Sequence, residues 1–224
     1  MLEKVENVPV TSHQKLLLYK AAICPRLNWD FMVNDLPISW VTSSLEAIAT
    51  KFLKKWVGLT KSADPSRIYL QKNKGGLGLP SVTSIYKKQS ASVACQLLTS
   101  KDPIVRHAST LHIWREETQI RPKFNPMLMT RAILQKDPGT NRKTLMRRVK
   151  RSIEEKEAEE RLEYAKSLEH QGQLMRLTED AAAKFWASAV INLPPEVLKF
   201  SMNAAQDTLP HNSNLAYGEK RKAF

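Results

Sequence analysis

Residues 45 to 59 read LEAIATKFLKKWVGL, and this stretch sets the fold class. Leu45, Ile48, Ala49, Phe52 and Trp56 recur at steps of three and four, the spacing that places side chains on one face of an α-helix. Lys51, Lys54 and Lys55 fall on the opposite face. Thr42, Ser43 and Ser44 precede the stripe as start signals, and Gly58 stands where the helix should stop, because glycine enters the left-handed C-terminal position without strain. An amphipathic helix buries one face and solvates the other, so it needs packed neighbours.

Working outward, the neighbours also carry helical signals. Thr11 or Ser12 caps HQKLLLYKAAIC, and Pro25 kinks or restarts that helix before RLNWDFMV. Apolar residues surround this segment almost completely, which predicts a central core helix. On the other side, TKSADPSRIYLQKNKGGLGLPS changes character. An Asp64-Pro65 turn, a short extended pair from RIYL and LGL, and a tight glycine turn at 75–80 are expected. Ser81 then caps a helix with the stripe Val82, Ile85, Tyr86, Val93 and Leu97. Asp102-Pro103 and Asn125-Pro126 open two further helices, since proline suits the first helical position. After the break DPGTN at 137–141, a long charged helix is expected from Thr140 to about Glu169, then helices over about 174–191 and 195–206. The fold expectation is all-α: a helical domain over 1–100 and a helical extension over 101–224, with a loosely ordered tail at 207–224.

Composition bounds the chemistry. The chain has 224 residues, with 35 Lys plus Arg against 22 Asp plus Glu and a formal net charge of +13. The excess is concentrated: residues 121–150 hold nine Lys or Arg and one Asp, and 151–170 hold four against seven Glu. Within the basic stretch 121–151, Lys143, Arg147, Lys150 and Arg151 share about one third of a helix circumference, with Leu145, Met146, Val149 and Ile153 on another face. Clustered cations of this kind suit a polyanion, because they release counterions condensed on a phosphate backbone. A solvated helix face and a nuclear localisation signal at MRRVKR are the competing readings. The glutamate-rich run after it reads as a solvated helix with internal ion pairs.

Catalytic and metal constellations do not form. Cys24 and Cys95 are isolated and read as small buried thiols. His13, His107, His112, His170 and His211 are scattered, with no nucleophile arrangement. GGLGLP lacks the spacing of a dinucleotide or P-loop cradle and reads as a turn requiring positive φ. Asp30 and Asp35 stand apart, and no adjacent Asp pair exists to hold two divalent ions. No cofactor and no catalytic residue is expected. No apolar run approaches the roughly 20 residues of a membrane span, and the N-terminus does not read as a secretory signal, so an intracellular, nuclear location and no membrane partner are expected.

Three segments in order, QKLLLYKAAICPRLNWDF, LEAIATKFLKKWVGL and NKGGLGLPS, together resemble the thumb that follows the catalytic palm in reverse transcriptases of non-LTR (LINE-type) retrotransposons. QDTLPHNSNLA is similar to the segment such polyproteins carry before a Cys/His zinc knuckle. The resemblance implies a fragment lacking the palm and the knuckle, whose intact parent is an RNA-directed DNA polymerase. It also implies the thumb's task, holding primer and template by backbone contacts. The expected partners are RNA, DNA or an RNA/DNA hybrid, together with the missing fingers and palm of the parent. The expected phosphate contacts are Lys51, Lys54, Lys55, Lys72, Lys74, Lys143, Arg147, Lys150 and Arg151. A host protein that kept such a helical module for nucleic-acid binding or protein interaction, with no polymerase role, is the alternative.

Overall fold

The computed structural model describes residues 1–34, 36–118, 124–177 and 193–209, and among them it is helical without a strand. The helices are α1 (Leu2–Glu6), α2 (Ser12–Leu18), α3 (Cys24–Val33), α4 (Ile38–Trp40), α5 (Ala47–Val57), α6 (Ser66–Tyr69), α7 (Val82–Leu98), α8 (Pro103–Thr118), α9 (Pro126–Lys136), α10 (Arg142–Ser167), α11 (Gln173–Leu177) and α12 (Pro195–Ala204). The all-α expectation holds. The chain forms two compact units, each assembled from segments distant in sequence rather than divided near residue 100. The first unit takes Met1–Ile23, Ala47–Pro80 and Ala158–Phe224; the second takes Cys24–Glu46 and Ser81–Glu157.

In the first unit α5 packs against α1, α2 and α12. It buries Ala49, Leu53, Trp56 and Val57, while Phe52 is half-buried and Ile48 is 51% exposed. The buried face is thus rotated from the Leu45, Ile48 and Phe52 stripe toward Leu53 and Val57. Burying Leu53 completely contributes about 1.5–3 kcal/mol. Glu6 at the end of α1 accepts the Trp56 indole N–H and pairs with Lys55 and, at 3.6 Å, with Lys15. That carboxylate fixes a five-residue helix too short to persist alone.

Gly58 ends α5 as expected, with φ +77° and the Leu59 N–H donating to Lys54 O at 2.9 Å. Its missing Cβ also makes room for Lys199 of α12, whose Cγ would lie 2.6 Å from it. Asn203 of α12 secures the junction, its amide donating to Gly58 O at 2.9 Å while its oxygen accepts from Thr60 N at 3.2 Å.

RIYL is not extended. The Asp64 carboxylate accepts from Ser66 N at 2.8 Å and the Ile68 N–H donates to Pro65 O at 2.9 Å, closing the helical turn α6. A 3-10 turn, Lys72–Lys74, follows, and the glycine turn bends with positive φ at Gly75 and Gly78, as expected. Gly76 lies against the Leu70 carbonyl, which leaves no space for a Cβ. Leu70 packs with Ala165, Met175 and Leu162, the last part of α10 and α11. The guanidinium of Arg176 donates to Lys166 O, Leu168 O and Glu169 O at 2.5–2.8 Å, satisfying one carbonyl in the last turn of α10 and two in the turn that follows it.

The second unit is built on α7, which packs against α3, α8, α9 and the π-helical turn Val41–Glu46. Ser81 caps it, accepting from Ser84 N at 3.0 Å, and the Glu46 carboxylate accepts from Thr83 N at 2.8 Å. The second half of α7 buries the small residues Ala91, Ser92, Ala94 and Cys95 instead of Val93 and Leu97, the latter 36% exposed. Small side chains let the neighbouring helices approach closely, so α10 seats Leu145, Val149 and Ile153 against Ala91 and Cys95. Both cysteines are free and buried, as expected.

Two further expectations need correction. The segment from Thr11 to Val33 is not a central core helix: Leu17 is 53% exposed, and on α3 Trp29 and Val33 are 63% and 64% exposed. Only Phe31 and Cys24 are buried on α3, Phe31 meeting Tyr86 edge-on at 5.4 Å. Pro25 offers no N–H to the preceding turn, and the chain widens into the π-helical turn Tyr19–Ile23 just before it instead of breaking. Likewise Thr42, Ser43 and Ser44 lie inside a π-helical turn rather than ahead of a helix, which starts at Ile38 after Pro37. The long helix runs Arg142–Ser167, close to the expected span, with Asn141 accepting from Thr144 N at 2.9 Å. Asp35, most of the helix expected over 174–191 and the tail from 210 lie outside the described residues.

Candidate nucleic-acid interface

The nine expected contact residues divide between the two units, five in the first and four in the second, and each set is built by its own elements. In the first unit Lys51 points to solvent from α5 and has no ion-pair partner among the described residues. Lys54 is half-buried, donates to Lys61 O at 2.9 Å, and has its pKa lowered by burial, with nearby Asp64 working against that shift. Lys55 is exposed but held by Glu6, whose carboxyl is pulled below its ordinary range by the hydrogen bonds from Lys55 and Trp56. Lys72 and Lys74 are half-buried in their turn, the stem of Lys72 lying beside Gly78. Lys51 is therefore the one of the five that the fold leaves exposed without a fixed partner.

The second unit brings its four together as the periodicity requires. Leu145, Val149 and Ile153 of α10 are buried, so Lys143, Arg147, Lys150 and Arg151 lie on the side turned from that core. Lys143 and Arg147 are exposed and have no ion-pair partner among the described residues. Arg151 pairs with Glu155 at 2.7 Å, but both side chains are more than half exposed, a type of pair worth about 0–1 kcal/mol and readily exchanged for a stronger anion. Lys150 is half-buried, and its charge reaches Cys95. There burial pushes the Cys95 thiol up, and the Thr130 hydrogen bond and the Lys150 charge pull it down.

The cations around this face are used inside the fold. Arg142 donates to Thr99 Oγ1 at 3.0 Å and to Thr99 O at 3.1 Å, fixing the start of α10 to the end of α7. Arg148 pairs with Asp137 at 2.7 Å across the preceding turn, and Thr140 and Arg148 together hold that carboxyl below its usual range. Further along, Glu154 and Glu157 pair with Lys88 and Lys87 of α7, each at 2.7 Å. Glu157 is only 8% exposed, so this part of the glutamate run is a packing contact and not just a solvated surface.

Sequence reading missed a second basic locus in the same unit. Leu98, Pro103, Arg106, His107, Thr110, Arg131 and Leu134 line a cavity of about 470 Å³. The signal was present but divided, with Arg106 and His107 one turn before Thr110 on α8 and Arg131 three residues before Leu134 on α9. Among the described residues, no group of three or more His, Cys, Asp or Glu is placed to hold a metal ion, and no helix is long and apolar enough to cross a membrane.

Comparison of the chain with protein-family models and with curated proteins gave no match. The functional reading accordingly rests on these side chains and on the sequence resemblance.

Proposed function

We propose that this chain is a non-catalytic, thumb-type nucleic-acid-binding region of a retrotransposon RNA-directed DNA polymerase, which holds RNA, DNA or their hybrid through backbone phosphates. The observation that carries the reading is the outer face of α10, where Lys143 and Arg147 are exposed and have no ion-pair partner among the described residues, while their neighbours Arg142 and Arg148 are tied to Thr99 and Asp137. Those ties secure the start of the helix, so the backbone positions of Lys143 and Arg147, one helical turn apart, are set before binding. Contacts of this type position a duplex and read no bases.

The test is fluorescence anisotropy with a labelled RNA/DNA hybrid across a salt series. Replacing both Lys143 and Arg147 by alanine is expected to lower the slope of log affinity against log salt by about 2, close to 0.9 per phosphate contact, and to weaken unrelated sequences alike. Lys156→Ala, among the glutamates of the same helix, serves as the control and should leave the slope in place. A double variant that binds as tightly as the parent with the same slope would remove α10 from the interface and leave MRRVKR as a solvated face or a localisation signal.

A further inference from the structure

The end of α7, the start of α8 and α9 form an open cleft lined by half-buried Leu98, Arg131 and Leu134 and by exposed Pro103, Arg106, His107 and Thr110. Its volume of about 470 Å³ falls in the range of small-molecule sites. Among the described residues its lining includes three basic side chains, Arg106, His107 and Arg131, and no acidic one. The remaining wall is Leu98, Pro103 and Leu134, with the Thr110 hydroxyl turned back to donate to Arg106 O at 3.0 Å. Cationic donors and apolar surface therefore share one cleft.

Two of the basic groups keep donors available. Arg106 is oriented by its Nη1, which donates to Ser100 O at 2.6 Å, and no protein acceptor among the described residues takes its Nε or Nη2. Arg131 is half-buried and has no acidic partner among the described residues, so an oxyanion in the cleft would meet a guanidinium whose donors are not committed to an acid of the fold. The cavity also adjoins the start of the basic helix, since Thr99, next to Leu98 of its wall, is the residue that anchors Arg142.

We infer that this cavity binds a single nucleotide unit, with its phosphate on Arg131, Arg106 and His107 and its base against Leu98, Pro103 and Leu134. A bare phosphate would leave the apolar wall wet, and an uncharged ring would leave the guanidinium groups unpaired. A nucleoside monophosphate satisfies both. The unit arrives either as free nucleotide or as the phosphorylated end of a strand, and the chemistry at the wall is the same. This site does not depend on Lys143 or Arg147, so it stands or falls separately from the proposed duplex contact.

Isothermal titration calorimetry on the full chain with AMP, inorganic phosphate and adenosine tests it. AMP is expected to bind at least tenfold more tightly than either part. Arg131→Gln should weaken AMP about tenfold while leaving the far-UV circular dichroism unchanged. Thr110→Phe, which fills the cavity without changing its charge, should abolish AMP binding and leave the salt-dependent binding of duplex in place. Displacement of AMP by a 5′-phosphorylated oligonucleotide, but not by its 5′-hydroxyl form, assigns the site to strand ends; no displacement by either assigns it to free nucleotide. Equal binding of phosphate and AMP, or AMP binding that survives Thr110→Phe, would overturn the inference.

Discussion

Replacing Arg67 with methionine removes a charge that the fold buries without a partner. Arg67 lies in α6 with 6% of its surface exposed, its Nε is enclosed with no acceptor, and no acid pairs with it among the described residues. Burial lowers its pKa from the usual guanidinium range to about 10. At 1.36 kcal/mol per unit, that shift corresponds to a penalty on the charged form of about 3 kcal/mol. The sign follows from linkage. Below pH 10 both folded and unfolded chains carry the proton, so the whole penalty is present at neutral pH; it fades only as pH rises through about 10, where the folded form releases the proton first. Methionine keeps a flexible stem of similar length in the same space and needs no hydrogen bond. Allowing for imperfect refilling, Arg67→Met should stabilise the first unit by about 1–3 kcal/mol at pH 7. Urea unfolding followed by tryptophan fluorescence measures this, since Trp56 is buried in that unit. A variant less stable than the parent by 1 kcal/mol or more, at unchanged m-value, would show that the guanidinium has a stabilising partner and that the burial argument is wrong.

Three other outcomes can be measured with the same equipment. Gly76→Ala should destabilise by more than Gly75→Ala, because an added Cβ at Gly76 meets the Leu70 carbonyl, whereas Gly75, at φ +77°, has open space and costs only the left-handed strain of about 1–2 kcal/mol; equal effects in urea titrations would contradict the close approach. The lowered pKa of Glu6 means that its contribution to stability is complete above the ordinary value of 4.5 and disappears as pH falls through the lower folded value. Acid titration of the tryptophan emission should show that step, which Glu6→Gln and Trp56→Phe each remove. Lys55→Ala should reduce stability through Glu6 more than it reduces nucleic-acid binding, and Lys51→Ala should do the reverse; comparison of the two by unfolding and by anisotropy decides it.

The parts of the fold that were legible in the sequence are those decided within a few residues. Thr11, Ser81 and Asn125 each accept a backbone N–H near the helix start they mark, and Gly58 takes the positive φ that its position demanded. A cap needs only its own turn, so no distant partner can overrule it. Which face of a helix is buried depends on what lies against it. Ile48 and Leu53 are equally apolar to a periodicity count, yet one is 51% exposed and the other fully buried. The helix α1 gave no signal at all, because it is held by Glu6 reaching Trp56 and Lys55, some fifty residues away. RIYL misled through its β-branched and aromatic residues, whose preference was overruled by the Asp64 side chain closing a helical turn.

The candidate interface shows the same division more sharply. Periodicity correctly placed Lys143, Arg147, Lys150 and Arg151 opposite a buried stripe, since both depend only on the geometry of one helix. It could not separate a free cation from an engaged one. Within the MRRVKR run, Arg147 is unpaired among the described residues while Arg148, its immediate neighbour, is held by Asp137 from the preceding turn. Lys55 looks as available as Lys51 in sequence, yet Glu6 holds it. Net charge therefore overstates the number of phosphates this chain can neutralise, because Arg142, Arg148, Arg176, Lys55, Lys87 and Lys88 already serve helix ends and ion pairs of the fold. Counterion release counts only charges that meet phosphate, so the salt slope should follow the few exposed cations and fall well short of the +13 read from composition.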